Sequence, residues 1–175
     1  AADILYAIGE ERPVTGQWGD INMDVPSGYA ADFVSLDGLI RAVSVDEVGQ
    51  LRSAQGRYSL LYLGGSTRRA SNTYLQRNRE LTLAVARIAG PRQKGLAGFS
   101  DPTSEFEQLV AELWDAPLPL VFETIDTFAA LAWAGIEQPD WEFVDFEGVP
   151  VRADLSQGAR VRCIHRSGSD ADLYF

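Results

Sequence analysis

Apolar residues along this chain fall into two rhythms, short unbroken runs and helical spacings, and the alternation of the two sets the expected fold. Residues 2–9 (ADILYAIG) form a short apolar run closed by glycine, the pattern of a buried strand. Residues 10–29 are rich in Gly, Pro, Asp and Asn and show no periodicity, so a long loop is expected, and loops of that length inside a domain often carry function. Residues 35–43 fit a short helix with Ser35 as N-cap and Leu36, Leu39 and Ile40 on one face. Residues 44–56 read two ways. Ser44 and Glu47 have capping-box spacing with Gly56 as a stop, but two short strands around Gly49 fit equally. Residues 57–63 (RYSLLYL) are the clearest strand and run into Gly64-Gly65.

The second half of the pattern continues the alternation. Residues 72–83 predict a helix and residues 85–90 a strand stopped by Pro91. Asp101 as N-cap and Pro102 at the first helical position open an amphipathic helix carrying Phe106, Leu109, Val110, Leu113 and Trp114. Residues 118–123 predict a strand, and Thr124 caps a helix over 125–134 that Gly135 ends. From Trp141 onward WEFVDF, VPVRADL, RVRCIHR and DLYF are β-like. Strands alternating with helices imply βαβ units. The expectation is therefore an α/β fold over residues 1–138: an open, mainly parallel Rossmann- or flavodoxin-like sheet with helices on both faces. Antiparallel strands over 139–175 would pack on it or lead into a following β domain. The expected core is Leu5, Leu60, Leu61, Leu63, Val85, Ile88, Leu109, Leu113, Val121 and Phe128.

Composition narrows the function. The chain has 175 residues, a one-domain length, and 46% hydrophobic content excludes wholesale disorder. A net charge of −10 disfavours nucleic acid, and no apolar run reaches the roughly 20 residues of a membrane span. The opening Ala1-Ala2-Asp3 has neither a basic region nor a signal core, as expected of an internal stretch of a longer product. One cysteine, Cys163, and one histidine, His165, leave no disulfide and no zinc set, and Cys163 fits a strand thiol.

Several residues merit weighing as sites. The turn Gly64-Gly65-Ser66 lies between a strand and a helix, where backbone N–H groups favour anions, but it is neither a dinucleotide fingerprint, a phosphate loop nor a nucleophile elbow. Glu10, Glu11, Asp20, Asp24 and Asp32 gather around the long loop without forming a motif for an acid–base pair. Trp18, Tyr29 and Trp141 have faces suited to sugar rings and equally to ordinary packing. The substrate-proximal candidates are Glu10, Trp18, Tyr29, Asp32, His165 and Arg166, and no residue is assigned a catalytic or metal-binding role.

Segments 58–67 (YSLLYLGGST), 75–81 (LQRNREL), 86–95 (ARIAGPRQKG) and 106–114 (FEQLVAELW) carry a resemblance. To them are added the opening ADILYAIGEERP, Gly28-Tyr29-Ala30-Ala31-Asp32, Pro139-Asp140, Ile164-His165-Arg166 and the final DADLYF. In this order, and over nearly the whole chain, they resemble glycoside hydrolase family 106, the α-L-rhamnosidases. Departures are Gly64-Gly65 where the family often has Pro, and Ala30 for an Asp. The resemblance favours strands around Gly49. It implies a large secreted or periplasmic enzyme that releases α-L-rhamnose by inversion, with paired glutamates and a calcium site in an upstream barrel. This chain would then be the glutamine-amidotransferase-like α/β domain that follows the barrel, with no cofactor of its own. Its partners would be the barrel and β domains of the parent and, indirectly, the carbohydrate.

Three functions follow: an accessory domain that braces the barrel and lends loop residues to the sugar pocket, a free-standing ligand module using the Gly64-Gly65-Ser66 turn, or a small amidotransferase-like enzyme. The last is disfavoured because Cys163 lies on a late strand instead of at an elbow. On the first reading the isolated chain does not hydrolyse an aryl α-rhamnoside. Turnover by the purified chain that disappears on mutating one of its carboxylates would overturn this.

Overall fold

A parallel strand needs cover on both faces, and the apolar runs noted above supply strands of that kind. The computed structural model describes residues 4–10, 25–26, 28–64, 68–98, 101–116, 119–136, 165–167 and 172–174. The chain begins with β1 (Ile4–Ala7), β2 (Ala31–Val34), α1 (Leu36–Arg41), β3 (Ser44–Val45), β4 (Leu51–Arg52), β5 (Arg57–Tyr58) and β6 (Leu60–Leu63). It continues with β7 (Arg69–Ala70), α2 (Asn72–Leu83), β8 (Ile88–Gly90), β9 (Gly95–Leu96), α3 (Ser104–Trp114), β10 (Val121–Glu123) and α4 (Thr127–Ala134). The last described elements are β11 (His165–Ser167) and β12 (Asp172–Tyr174).

Five strands form one parallel sheet in the order β10-β8-β6-β1-β2. Counting only these strands, the first lies between the second and the third, which is the flavodoxin-like doubly wound order. The expected open α/β fold is the one observed. Side chains alternate in two sets along each strand. Leu5, Ala7, Leu61, Leu63 and Ile88 enter one core with residues of α1, α2 and α3, whereas Ile4, Tyr6, Leu60, Tyr62 and Ala89 enter a second core beneath α4. Helices therefore cover both faces. β3, β4 and β5 form a small antiparallel sheet, β7 and β9 a parallel pair, and β11 and β12 an antiparallel pair.

Several boundaries differ from the sequence-based expectation, each for a local reason. The run over 57–63 is two strands, because Tyr58 belongs to the antiparallel sheet while Leu60 onward joins the parallel one. Residues 44–56 form strands on either side of Gly49, whose φ of 82° suits the turn. The N-cap of α3 is Thr103, whose hydroxyl accepts the Phe106 N–H at 3.2 Å, and not Asp101. The N-cap of α4 is Asp126, which accepts the Phe128 N–H at 2.9 Å, while Thr124 accepts the Asp126 N–H at 3.0 Å. β2 escaped notice in the sequence because all four of its residues are only half-buried and one is charged. On α1 only Leu39 is buried, and Ile40 stands partly in solvent.

Two expected core residues are not in the core. Phe128 is 63% exposed, since the buried face of α4 is Thr127, Ala130, Leu131 and Ala134. Val85 is 57% exposed, because α2 ends in a turn that carries it outward before β8 starts at Ile88. Leu109 and Val121 are half-buried against the first core. Most of the long loop, Trp18, Glu11, Asp20, Asp24, Gly65-Ser66, Pro139-Asp140, Trp141, Cys163 and the β-like segments before His165 lie outside the described residues.

β8 packs tightly beside the end of β6 at Gly90, which has a φ of 149°. A Cβ there would lie 2.6 Å from both the Cβ and the carbonyl oxygen of Leu63. Gly90→Ala is expected to lower unfolding free energy by about 1–3 kcal/mol from backbone strain alone, read as a lower urea midpoint with unchanged slope. An unchanged midpoint would contradict this packing.

Candidate functional site

In an open parallel sheet the ligand crevice lies beyond the carboxyl ends of the strands, at the switch point where crossovers leave in opposite directions. Here that point lies between β1 and β6. Glu10 stands just past β1 at this point, yet its carboxylate is already engaged. One oxygen accepts the Ser71 N–H at 2.6 Å and the other accepts the Ser71 hydroxyl at 3.0 Å. Ser71 is the N-cap of α2, and its Oγ accepts the Tyr74 N–H at 3.1 Å. The carboxylate therefore occupies the helix N-terminus, where a bound anion would otherwise be favoured. Tyr74 lies beneath, fully buried. Burial pushes its phenol well above the usual range, and the Asn78 side chain offsets part of that shift.

Gly64 closes the other side of the switch point. Its N–H donates to the Ala7 carbonyl at 3.2 Å, and a Cβ at this position would meet the Tyr6 ring at 2.7 Å. The glycine is thus required by close packing of Tyr6, whose ring also packs against Phe33 and Tyr62 with centroids 5.3 and 5.5 Å away. This accounts for the first glycine of the Gly64-Gly65-Ser66 turn without a ligand.

The remaining candidates separate. Tyr29 precedes β2, so it lies at the amino end of the sheet, across the molecule from Glu10, and packs half-buried against the second core. Asp32 lies within β2 and accepts the Tyr58 hydroxyl at 2.9 Å, which ties the parallel sheet to the small antiparallel one. His165 and Arg166 lie in β11, in register with Tyr174 and Leu173 of β12. Glu10, Tyr29 and Asp32 therefore do not meet in one place. Among the described residues no group of three His, Cys, Asp or Glu side chains is arranged to hold a metal ion.

Sequence reasoning passed over the cations at the carboxyl edge. Arg68 follows β6, and Arg92 and Lys94 follow β8. The available signal was their position just after Gly-rich and Gly-Pro strand ends. Arg92 grips Asp115 with two bonds of 2.7 Å, which holds the Asp115 carboxyl below its usual range and raises the guanidinium further.

The model of glycoside hydrolase family 106, described as alpha-L-rhamnosidase, matches residues 1–175. No curated protein matches the chain. Among solved structures it is similar to a rhamnosidase from Novosphingobium sp. PP1Y, at 25% identity and a TM-score of 0.74. That match covers 99% of this chain and 16% of the rhamnosidase, so the chain spans a small part of that enzyme's length.

The Arg92–Asp115 pair has a measurable pH signature. A carboxyl depressed in the folded state adds stability that is full above its unfolded value, near 3.8, and is lost as pH falls through the lower folded value. Arg92→Gln is expected to return Asp115 toward the ordinary carboxylate range, followed by side-chain carboxyl NMR. The stability difference between the parent chain and the variant should close in acid. A difference that persists below the folded value would count against the pairing.

Proposed function

The chain belongs to glycoside hydrolase family 106, and from that membership we propose that it is an accessory, non-catalytic α/β domain of a larger α-L-rhamnosidase. In this reading the paired catalytic glutamates and the calcium site lie in the parent enzyme's barrel, outside the cytoplasm, and this domain braces that barrel. The supporting match is to one part of a much longer rhamnosidase. The described acids also support it, since Glu10 and Asp32 are both committed to internal hydrogen bonds. Gly64, used for packing against Tyr6, weighs against a free-standing module built on that turn.

The single observation that carries the bracing role is Val85. Two hydrogen bonds close α2, from the Val85 N–H to the Thr82 carbonyl at 2.9 Å and from the Ala86 N–H to the Leu81 carbonyl at 3.0 Å. This closure places Val85 in the left-handed region, with φ of 71°. α4 closes with the same two bonds, but there Gly135 occupies the left-handed position. A β-branched residue in that conformation is strained, and this one is mostly exposed, so the fold itself gains little from it. Its neighbours extend the apolar surface. Val48 is 79% exposed beside Gly49, whose Cβ would touch the Val85 carbonyl, and Leu83 is 66% exposed. Leu83 also lines a groove of about 330 Å³ with Ala111, Leu120 and Val121. This strip lies at the amino edge of the sheet, on the same edge as Tyr29, and we assign it to contact with another domain of the same polypeptide. Of the substrate-proximal candidates, Tyr29 stands on that side, while His165 and Arg166 rest on the resemblance of Ile164-His165-Arg166 to the family.

Asn tolerates the left-handed region better than Val. Val85→Asn should raise the stability of the isolated chain by up to about 1 kcal/mol. In the full-length enzyme it should instead lower the melting temperature of the joined domains and speed proteolysis between them. Stabilisation in both settings would remove the case for a docking role.

A further inference from the structure

Three adjacent strands of the sheet deliver polar side chains to one place, away from the switch point. Arg68 follows β6, Arg92 and Lys94 follow β8, and Glu123 ends β10 with Thr124 and Ile125 behind it. These residues line an open cleft of about 440 Å³ at the carboxyl edge, a size within the range of small-ligand sites. The β7–β9 ladder fixes its floor. The Lys94 N–H donates to the Arg68 carbonyl at 2.8 Å, and Arg69 pairs with Gly95 immediately beyond. Arg92 is neutralised by Asp115 on the flank of the cleft. Arg68 and Lys94 are exposed, and neither side chain has a hydrogen bond or ion pair among the described residues.

Uncommitted cations at this edge are notable in a chain with 25 acidic and 15 basic residues. They attract one negative group, and a charge-assisted bond to a carboxylate is about twice as strong as a neutral one. Glu123, on the opposite wall, disfavours a compact dianion and offers acceptor oxygens for hydroxyl groups, and Thr124 adds a donor and acceptor. Ile125, 65% exposed, lines the cleft just before α4 and supplies apolar surface suited to the C–H face of a sugar ring. The required ligand has a single negative charge, several hydroxyls and an apolar face.

We propose that the cleft formed by Arg68, Lys94, Glu123 and Thr124 binds a uronate, a sugar residue carrying one carboxylate. Arg68 and Lys94 take the carboxylate, and Glu123 and Thr124 take ring hydroxyls. The choice of a sugar rests on the reading of the chain as part of a glycoside hydrolase. The choice of an acidic one rests on the cleft alone. The site would hold an acidic sugar of the carbohydrate substrate at a distance from the reacting bond.

Calorimetric titration of the full-length polypeptide with a galacturonate disaccharide tests this. Saturable binding that weakens in high salt is expected, as is a loss of roughly tenfold or more in Lys94→Gln and in Arg68→Gln. Both residues are exposed, so unchanged thermal melting should accompany the loss. The methyl ester of the same disaccharide should bind at least about tenfold more weakly, because it lacks the charge. Absence of binding, equal binding of acid and ester, equal binding by the variants, or inorganic sulfate binding as tightly as the disaccharide would each overturn the proposal. None of these outcomes bears on the accessory-domain reading, which the Val85→Asn measurements decide independently.

Discussion

Everything in this domain follows from two central strands that have no solvent-facing side. All four residues of β1 and all four of β6 are buried, and each strand pairs in parallel with the other. A parallel pair with both faces apolar is stable only if helices cover both faces, so α2 and α3 must lie on one side and α4 on the other. The aromatic pairings of Tyr6 with Phe33 and Tyr62 fill the face that has the less helical cover. Gly64 and Gly90 are the points where this close packing leaves no room for a Cβ.

The same parallel arrangement separates the molecule's two edges. Every crossover must return from the carboxyl ends to the amino ends, so one edge collects the loops that leave strands and the other the turns that enter them. The passage from α2 into β8 carries Leu83 and Val85, apolar and exposed, and Val48 in the β3–β4 turn stands beside it. The leaving loops carry Glu10, Arg68, Arg92 and Lys94, polar and mostly near the surface. A domain divided in this way can be held along one edge while the other faces solvent. The Glu10–Ser71 contact belongs to this division. By placing a carboxylate on the α2 N-terminus it removes the usual anion site at the switch point and leaves the cations further along the edge.

Much of this was legible in the residues. β1, α2 and the strand ending at Leu63 follow directly from apolar runs and helical spacing, and the strand–helix alternation is enough for the fold class. Ser35 as the cap of α1 and the start of α2 at Asn72 were legible, but the starts of α3 and α4 were not, because two capping side chains stand two positions apart in each of those cases. Asp101 competes with Thr103, and Thr124 with Asp126, and the choice depends on where Phe106 and Thr127 meet the core. Val85 looks like a core valine in sequence because nothing local announces a left-handed backbone at a non-glycine residue. The cleft was hidden for another reason. Residues 68, 92, 94 and 123 are far apart in the chain and converge only through the order of strands.

The position of β1 in the middle of the sheet has a consequence for biosynthesis. Ile4 pairs with Ala31 on one side and with Leu60 on the other, so the second partner lies 56 positions downstream. At a synthesis rate of roughly 5–20 residues per second, the Ile-Leu-Tyr-Ala segment waits several seconds for that partner. Over this interval its paired edge is incomplete, and the helices that will cover both its faces have yet to emerge. Of the five strands of this sheet, the first to be synthesised is thus among the last to be fully enclosed, which exposes an apolar strand for as long as its partners are missing.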